Sequence, residues 1–459
     1  MYVNNNERTK AMNLGKSKKP SRILTFNDNC ITLSEGQTKV LNIFFYTMLA
    51  ATVTTMIGII LFYVYSLAAL YHDRTTETSL WLLSIFSDFV EIMNFSLDDS
   101  PYLDGVGSSY PPVAIMVLYP FALICKSVFS QYASYEHLDV DELTSLVVRH
   151  PQFWVALLLF FFTCILSIIF LVTRKYRLDL KATLKMAIVI SFSAPFIYAI
   201  MRGNTIYFAL IFLLLFLFFY NSKSPLLREL ALISLAIAGT IKIYPLFFGV
   251  FLLNKKKIFA SFRVAIYFAL IFFISFKFFP GNSGDVDPFV ENLQGFMSDA
   301  ERLSCFRNLS LTALLYKIVH LFSASATESS AFEIANIVIL ALVFVIATVT
   351  ATVTRSNLSR AVICASVIIL IPSVSYFYVL IFEIIPFMEY LMEYDSLSKR
   401  NRIIYGVLFM FLMFTPILLP QFFIPHALIV IFMAACEVYK VTGKEIIPWF
   451  KNRKKIKKI

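Results

Sequence analysis

Twelve apolar runs set the limits of what this chain can fold into; they occur at about 40–70, 112–130, 152–173, 186–201, 205–220, 230–253, 262–280, 333–354, 361–376, 377–393, 403–420 and 424–440. An α-helix crosses a bilayer core with about 20 apolar residues. Hydrophobic residues make up 59% of the sequence and charged residues 15%, against about 45–50% and about 25% in soluble domains. No soluble interior hides that much apolar side chain. The fold expected is an all-α polytopic membrane protein, a bundle of about twelve transmembrane helices.

The formal charge of +11 is not spread like a nucleic-acid surface. Its cations cluster at Lys10–Arg22, Lys255–Lys257, Lys399–Arg402 and Lys451–Lys458, beside apolar runs and at the two ends, where cytoplasmic flanks of membrane helices retain Lys and Arg. No nucleic-acid partner is expected. The division expected is a cytoplasmic tail at 1–38, a transmembrane domain at 39–441 and a basic cytoplasmic tail at 442–459. Both termini then share one side, and the first run is a retained span rather than a cleaved signal. Of six cysteines, Cys125, Cys164, Cys364 and Cys436 lie in apolar runs and only Cys305 in a polar loop, so no disulfide framework follows.

Two connections are long, 71–111 and 281–332, and counting crossings from a cytoplasmic N-terminus puts both outside. Within the second, Leu311, Leu314, Leu315 and Ile318 share one helical face, as in a helix lying on a membrane surface. The same count puts Arg174, Lys175, Arg177, Lys181 and Lys185 outside and the acidic loop 131–150 inside, against the positive-inside tendency. A re-entrant 112–130 would exchange the two, and a second non-crossing element, such as 230–253, would restore the parity. Pro195, Pro245, Pro372 and Pro386 interrupt or flank runs, and broken helices in lipid are tolerated where the freed backbone meets protein or a cavity.

The candidate chemistry lies in the first long loop and at cations beside apolar runs. Asp88 sits between the apolar segments 80–86 and 89–90, a partly dry setting that raises proton affinity and suits a general base. Arg202 and Lys242 each place a cation in or beside an apolar run, where charges usually face a cavity or a ligand. Asp98 and Asp99 lack a third close ligand, so no metal site is expected, and no cofactor.

In order along the chain, Asp88 with Pro101-Tyr102, Tyr110-Pro111-Pro112, Gly203-Asn204, Lys242-x-Tyr244-Pro245, Asn308-Leu309-Ser310-Leu311 and Ser373-x-Ser375-Tyr376 resemble the signposts of glycosyltransferase family 87 over about residues 80–390. The resemblance implies a GT-C-type membrane enzyme with surface helices in two long outer loops, working at the outer face of the cell membrane. It implies transfer of a mannose-like hexose from a polyprenyl-phosphate donor to a lipid or glycan acceptor, with inversion. Asp88 matches the catalytic base. Arg202 and Lys242 would then meet the donor phosphate, and Tyr102, Tyr110, Asn308, Tyr376 and Tyr378 the sugar or acceptor; Trp81 is a further aromatic of that kind. The sequence departs from the family in having Asn204 where Gln is common, and Tyr378 where one or two histidines often follow a Ser-Trp pair. A transporter or flippase for a lipid-linked intermediate, and a polysaccharide polymerase or ligase using Arg302 and Arg307, are the other classes compatible with these residues.

Overall fold

The structure, a computed structural model, describes residues 33–72, 85–103, 107–132, 139–254, 257–279, 281, 286–305, 307–414 and 423–448. Trp81, Asp104 and most of both tails lie outside the described residues. The described residues are predominantly helical, as expected. The described residues hold four helices long and apolar enough to cross a membrane, or five if the pair Leu180–Ser191 and Ala194–Arg202, bent by 55°, is one span. This is an integral membrane protein.

The bundle has two ends, defined here by Arg360 and by Asp88. Helix α1 (Glu35–His72) begins at the Arg360 end, where the Gln37 amide donates to Met392 O at 3.0 Å. At the other end, α2 (Ser87–Leu97) carries Asp88 in its first turn. The next elements, α3 (Pro112–Met116) and α4 (Tyr119–Tyr132), occupy the run 112–130. α5 (Val140–Val147) leads to α6 (Pro151–Tyr176), which starts at the Asp88 end, with Trp154 against Phe86, and finishes at the Arg360 end. α7 (Leu180–Ser191) and α8 (Ala194–Arg202) return to Asp88, and α9 (Ile206–Phe219) goes back again.

Two departures from the twelve-run count follow. Phe121, near the start of α4, packs on Phe160 well inside α6, whereas Tyr132 at its end hydrogen-bonds His150 just before α6, at 3.0 Å. The run 112–130 therefore dips into the bundle and comes back to the Asp88 end. Conversely, 230–253 goes both ways. α10 (Pro225–Ile241) rises to the Asp88 end, Lys242 is extended, Tyr244–Gly249 forms a 3-10 turn, and α11 (Val250–Asn254) descends until Phe251 lies under the Arg360 guanidinium. The placement of 174–185 apart from the basic flanks is thus corrected: Lys175 and Tyr176 sit at the Arg360 end. Hydropathy sums composition over a window and is blind to a turn made within it. The breaks fall instead at Val117–Leu118, followed by Pro120, and at Lys242-x-Tyr244-Pro245, because proline removes a backbone donor and breaks the helical ladder.

Beyond α12 (Ile258–Ser275), the second long loop folds at the Asp88 end as α13 (Asp287–Ser298), α14 (Ala300–Ser304), α15 (Leu311–Phe322) and α16 (Ala324–Thr327). The expected amphipathic helix is α15, capped by Ser310 Oγ accepting from Ala313 N at 3.0 Å. α17 (Ser330–Val353) then descends, α18 (Asn357–Leu370) ascends, a 3-10 segment Phe377–Glu383 and α19 (Ile384–Glu393) descend, and α20 (Lys399–Phe414) and α21 (Phe423–Val441) close the bundle. α18 is buried on every side, with Arg360 fully enclosed and its guanidinium donating to the carbonyls of Ala351, at 3.0 Å, and Thr354.

Single cysteines introduced for Asp141, Lys181 and Glu301, in a cysteine-free background, are expected to react with an impermeant thiol reagent with Asp141 and Glu301 on one side of the membrane and Lys181 on the other. Labelling of Lys181 from the side of Glu301, with Asp141 opposite, would rule out the re-entrant path of 112–130.

Candidate active site

The site starts from an unusual helix beginning. Phe86, which precedes α2, takes the left-handed conformation (φ 69°), and its N–H donates to Met201 O at 2.6 Å. Left-handed backbone costs a residue other than glycine about 1–2 kcal/mol, so this contact and the packing of Phe86 on Phe153 and Trp154 must hold it. The consequence is that Asp88 is aimed at the end of α8. Its carboxylate is paired with the Arg202 guanidinium and accepts from Asn204 Nδ2 at 2.7 Å. Asn204 in turn has its Oδ1 accepting from Ile206 N at 3.0 Å, which fixes which way the amide faces.

Gly203, between these two partners, has a positive φ of 66° and ends α8 with its N–H on Ile200 O at 2.8 Å. A side chain there would collide with the Cβ of Phe89. Glycine is required both for the left-handed cap and for the approach of α2.

Glu91 lies one turn beyond Asp88 on the same helix. Burial, reinforced by the Asp88 charge and opposed by Arg202, Arg302 and Lys242, pushes its carboxyl up to about 7. Lys242 is held in the extended break after α10, with Nζ 4.8 Å from the centre of the Tyr110 ring, a cation–π contact. From there a cavity of about 960 Å³ opens. Its polar end is formed by Tyr110, Lys242, Tyr244, Ser373 and Tyr378, and the rest is walled by apolar side chains such as Phe268, Phe272 and Phe344. Asp88 and Arg202 adjoin this polar end without lining the cavity.

The remaining expected residues divide in two. Tyr376 and Tyr378 stand at the site, with the Tyr376 hydroxyl bonded to Arg302 and Tyr378 stacked on Tyr198, ring centres 6.4 Å apart. Tyr198 is itself bonded to Arg307. Asn308 and Tyr102 are instead occupied by the protein. Asn308 Nδ2 donates to Ser373 O at 2.9 Å, and its Oδ1 accepts from Ser310 N and Ser375 N, both at 3.0 Å. Together with Leu309 N donating to Ser375 O at 2.7 Å, this pins the second long loop to the strand-like segment before Tyr376. Tyr102 is buried among Phe276, Phe279 and Phe289, and its hydroxyl donates to Tyr110 O at 3.0 Å.

Glu91, Tyr198, Arg302 and Arg307 also stand at the site; from sequence, Arg302 and Arg307 have a place only in the polymerase or ligase class, and Glu91 and Tyr198 have no assigned role. The position of Glu91, three residues after Asp88, was a usable signal, because that spacing puts both carboxyls on one helical face. Asp98 accepts from Ser100 N at 2.9 Å in a local turn. Among the described residues no three His, Cys, Asp or Glu side chains are grouped to hold a metal ion.

Replacing Gly203 by alanine is expected to destabilise the fold by roughly 2–4 kcal/mol, the left-handed strain and the overpacking combined. The measurement is chemical unfolding in detergent, with Gly295→Ala, whose added methyl meets nothing within 4 Å, as the control that stays near wild type.

No curated protein and no solved structure matches the chain. The sequence model of glycosyltransferase family 87 matches residues 109–374, more than half of the 459 residues. The match covers Tyr110, Arg202, Asn204, Lys242 and Asn308 and begins after Asp88 and Glu91. Carried by the helices that build the cavity and its polar end, it makes this chain a member of glycosyltransferase family 87, a membrane glycosyltransferase.

Proposed function

We propose that the chain transfers a hexose from a polyprenyl-phosphate donor to a hydroxyl of a lipid or glycan acceptor, with inversion and with Asp88 as general base. The observation that carries this reading is the junction between Asp88, held by Arg202 and Asn204, and a long apolar cavity whose polar end presents Lys242 and Tyr110. An isoprenoid chain suits apolar walls, and its phosphate suits cations at the end of them.

In the reaction proposed, the acceptor oxygen attacks C1 of the sugar while Asp88 takes its proton. The bond from C1 to the bridging oxygen breaks, and the electron pair leaves on the polyprenyl phosphate. Lys242 and Arg202 stabilise that developing charge. Both carboxylate oxygens of Asp88 are engaged in this structure, one by Arg202 and one by Asn204. A donor phosphate that draws the Arg202 fork towards itself frees one of them, so donor binding arms the base. Tyr376 and Tyr378 offer ring faces to the sugar, while Asn308 and Tyr102 position the loop and Tyr110.

Charge supports a sidedness. With 112–130 re-entrant and 230–253 passing twice, twelve passages remain, and the cations of 174–185, Lys257 and those of 399–402 lie at the Arg360 end. The positive-inside tendency then assigns that end to the cytoplasm and Asp88 to the outer face.

Asp88→Asn keeps the shape but removes the base, and its single carbonyl oxygen accepts from only one of Arg202 and Asn204. In nanodiscs supplied with a polyprenyl-phosphate hexose and acceptor, kcat is expected to fall by about 10²–10⁴-fold. Near-wild-type transfer by a folded Asp88→Asn protein would overturn the assignment, and a transporter would form no glycosidic bond in either form. Ionisation of Glu91 around pH 7 adds a negative charge beside the anionic donor, so the donor KM is expected to rise between pH 6 and pH 8. Glu91→Gln is expected to flatten that rise; an unchanged pH profile would remove Glu91 from donor binding.

A further inference from the structure

The end of the bundle remote from Asp88 carries a second cavity, of about 340 Å³, whose lining includes Arg174, Lys175, Arg177, Asn221, Asn357 and Glu389. Three cations face one carboxylate there. Glu389 Oε1 already accepts from Lys175 Nζ at 3.1 Å and from the Tyr176 hydroxyl at 2.8 Å. The two amides are also oriented: Asn221 Oδ1 accepts from Lys257 Nζ at 2.9 Å, and Asn357 Oδ1 accepts from Arg360 Nη1 at 3.3 Å. Asn221 is also hydrogen-bonded to the Tyr220 hydroxyl, while Asn357, with its oxygen turned to Arg360, keeps its Nδ2 donor for the cavity. The lining is therefore rich in positive charge, and Oε1 of its one acid is satisfied by neighbours.

We propose that this cavity binds a phosphate group, at a site separate from the sugar-transfer centre and independent of how that centre works. Arginine forks and amide donors match phosphate oxygens, each bond being charge-assisted. The phosphate has two possible sources, the headgroup of an anionic phospholipid or a soluble phosphate compound. The surroundings favour the lipid. Arg174 lies 5.3 Å from the ring centre of Phe170, and Phe170 continues an exposed apolar stripe on α6 with Leu159, Phe162 and Leu166. Acyl chains lying on that stripe would bring their headgroup to the cavity mouth.

The test is native mass spectrometry of the full chain released from detergent in the presence of phosphatidylglycerol or phosphatidylcholine, with and without inorganic phosphate. Wild type is expected to retain phosphatidylglycerol at least about fivefold more than phosphatidylcholine, and Arg174→Gln/Arg177→Gln to lose that preference. Asn221→Asp preserves the acceptor for Lys257 while placing a negative charge in the cavity, and is expected to lose it equally, which guards against a double variant that fails to fold. Displacement of the lipid by millimolar inorganic phosphate, abolished by the same variants, would assign the same site to a soluble phosphate compound. Phosphatidylglycerol retention that is equal to that of phosphatidylcholine, or unchanged in folded Asn221→Asp, would overturn the proposal.

Discussion

Everything at the Asp88 end depends on how a nearly buried carboxylate is compensated. Removing a charge from water costs several kcal/mol unless opposite charge and hydrogen bonds replace the lost solvation. Asp88 receives one of each, from Arg202 and Asn204, and both arrive from the turn between α8 and α9. That turn must press against the start of α2, so no side chain fits at 203 and Phe86 takes a backbone conformation it would not choose alone. The Phe86 N–H on Met201 O ties the two segments directly. Local strain and close approach are thus consequences of holding one charge.

A second constraint shapes the cavity. A membrane-embedded chain that leaves its helix must satisfy the freed backbone groups within the protein. Two such breaks, at Lys242–Tyr244 and at 371–375, meet at the polar end of the cavity. The second is satisfied largely by Asn308, which bonds Ser373 O and Ser375 N from the opposite loop. Breaking the helices therefore makes room for a ligand and supplies the polar groups at its end, and the loop that seals the break also carries Arg302 and Arg307.

This division explains which parts of the site the sequence disclosed. Asp88, Arg202 and Lys242 were legible because charge beside apolar runs is costly and needs a reason. Asn308 and Tyr102 were read as ligand contacts from the family signposts, but a sequence does not say whether a donor is already engaged. In both cases the partner is backbone, distant along the chain for Asn308 and eight residues away for Tyr102. Glu91 was hidden for the opposite reason, since one acid in an acidic loop resembles ordinary solvated surface until its surroundings are known. The helical character was evident from composition, whereas the path was not, because a run that dips and returns has the same hydropathy as one that crosses.

The path also bears on the charge conflict in the sequence. Under a one-run, one-crossing count, 174–185 stood apart from every other basic segment. Once α4 returns to its own end and 230–253 doubles back, the two errors cancel in parity but not in between, and only the connections lying between them change ends. Those are the loops whose charges were wrong. A distribution that looked like a violation of the positive-inside tendency is thus a measure of topology: the misplaced cations marked where the hydropathy count had failed. With them restored, Arg360 and the cationic cavity share one end, and the carboxylates of α2 with their counter-charges the other.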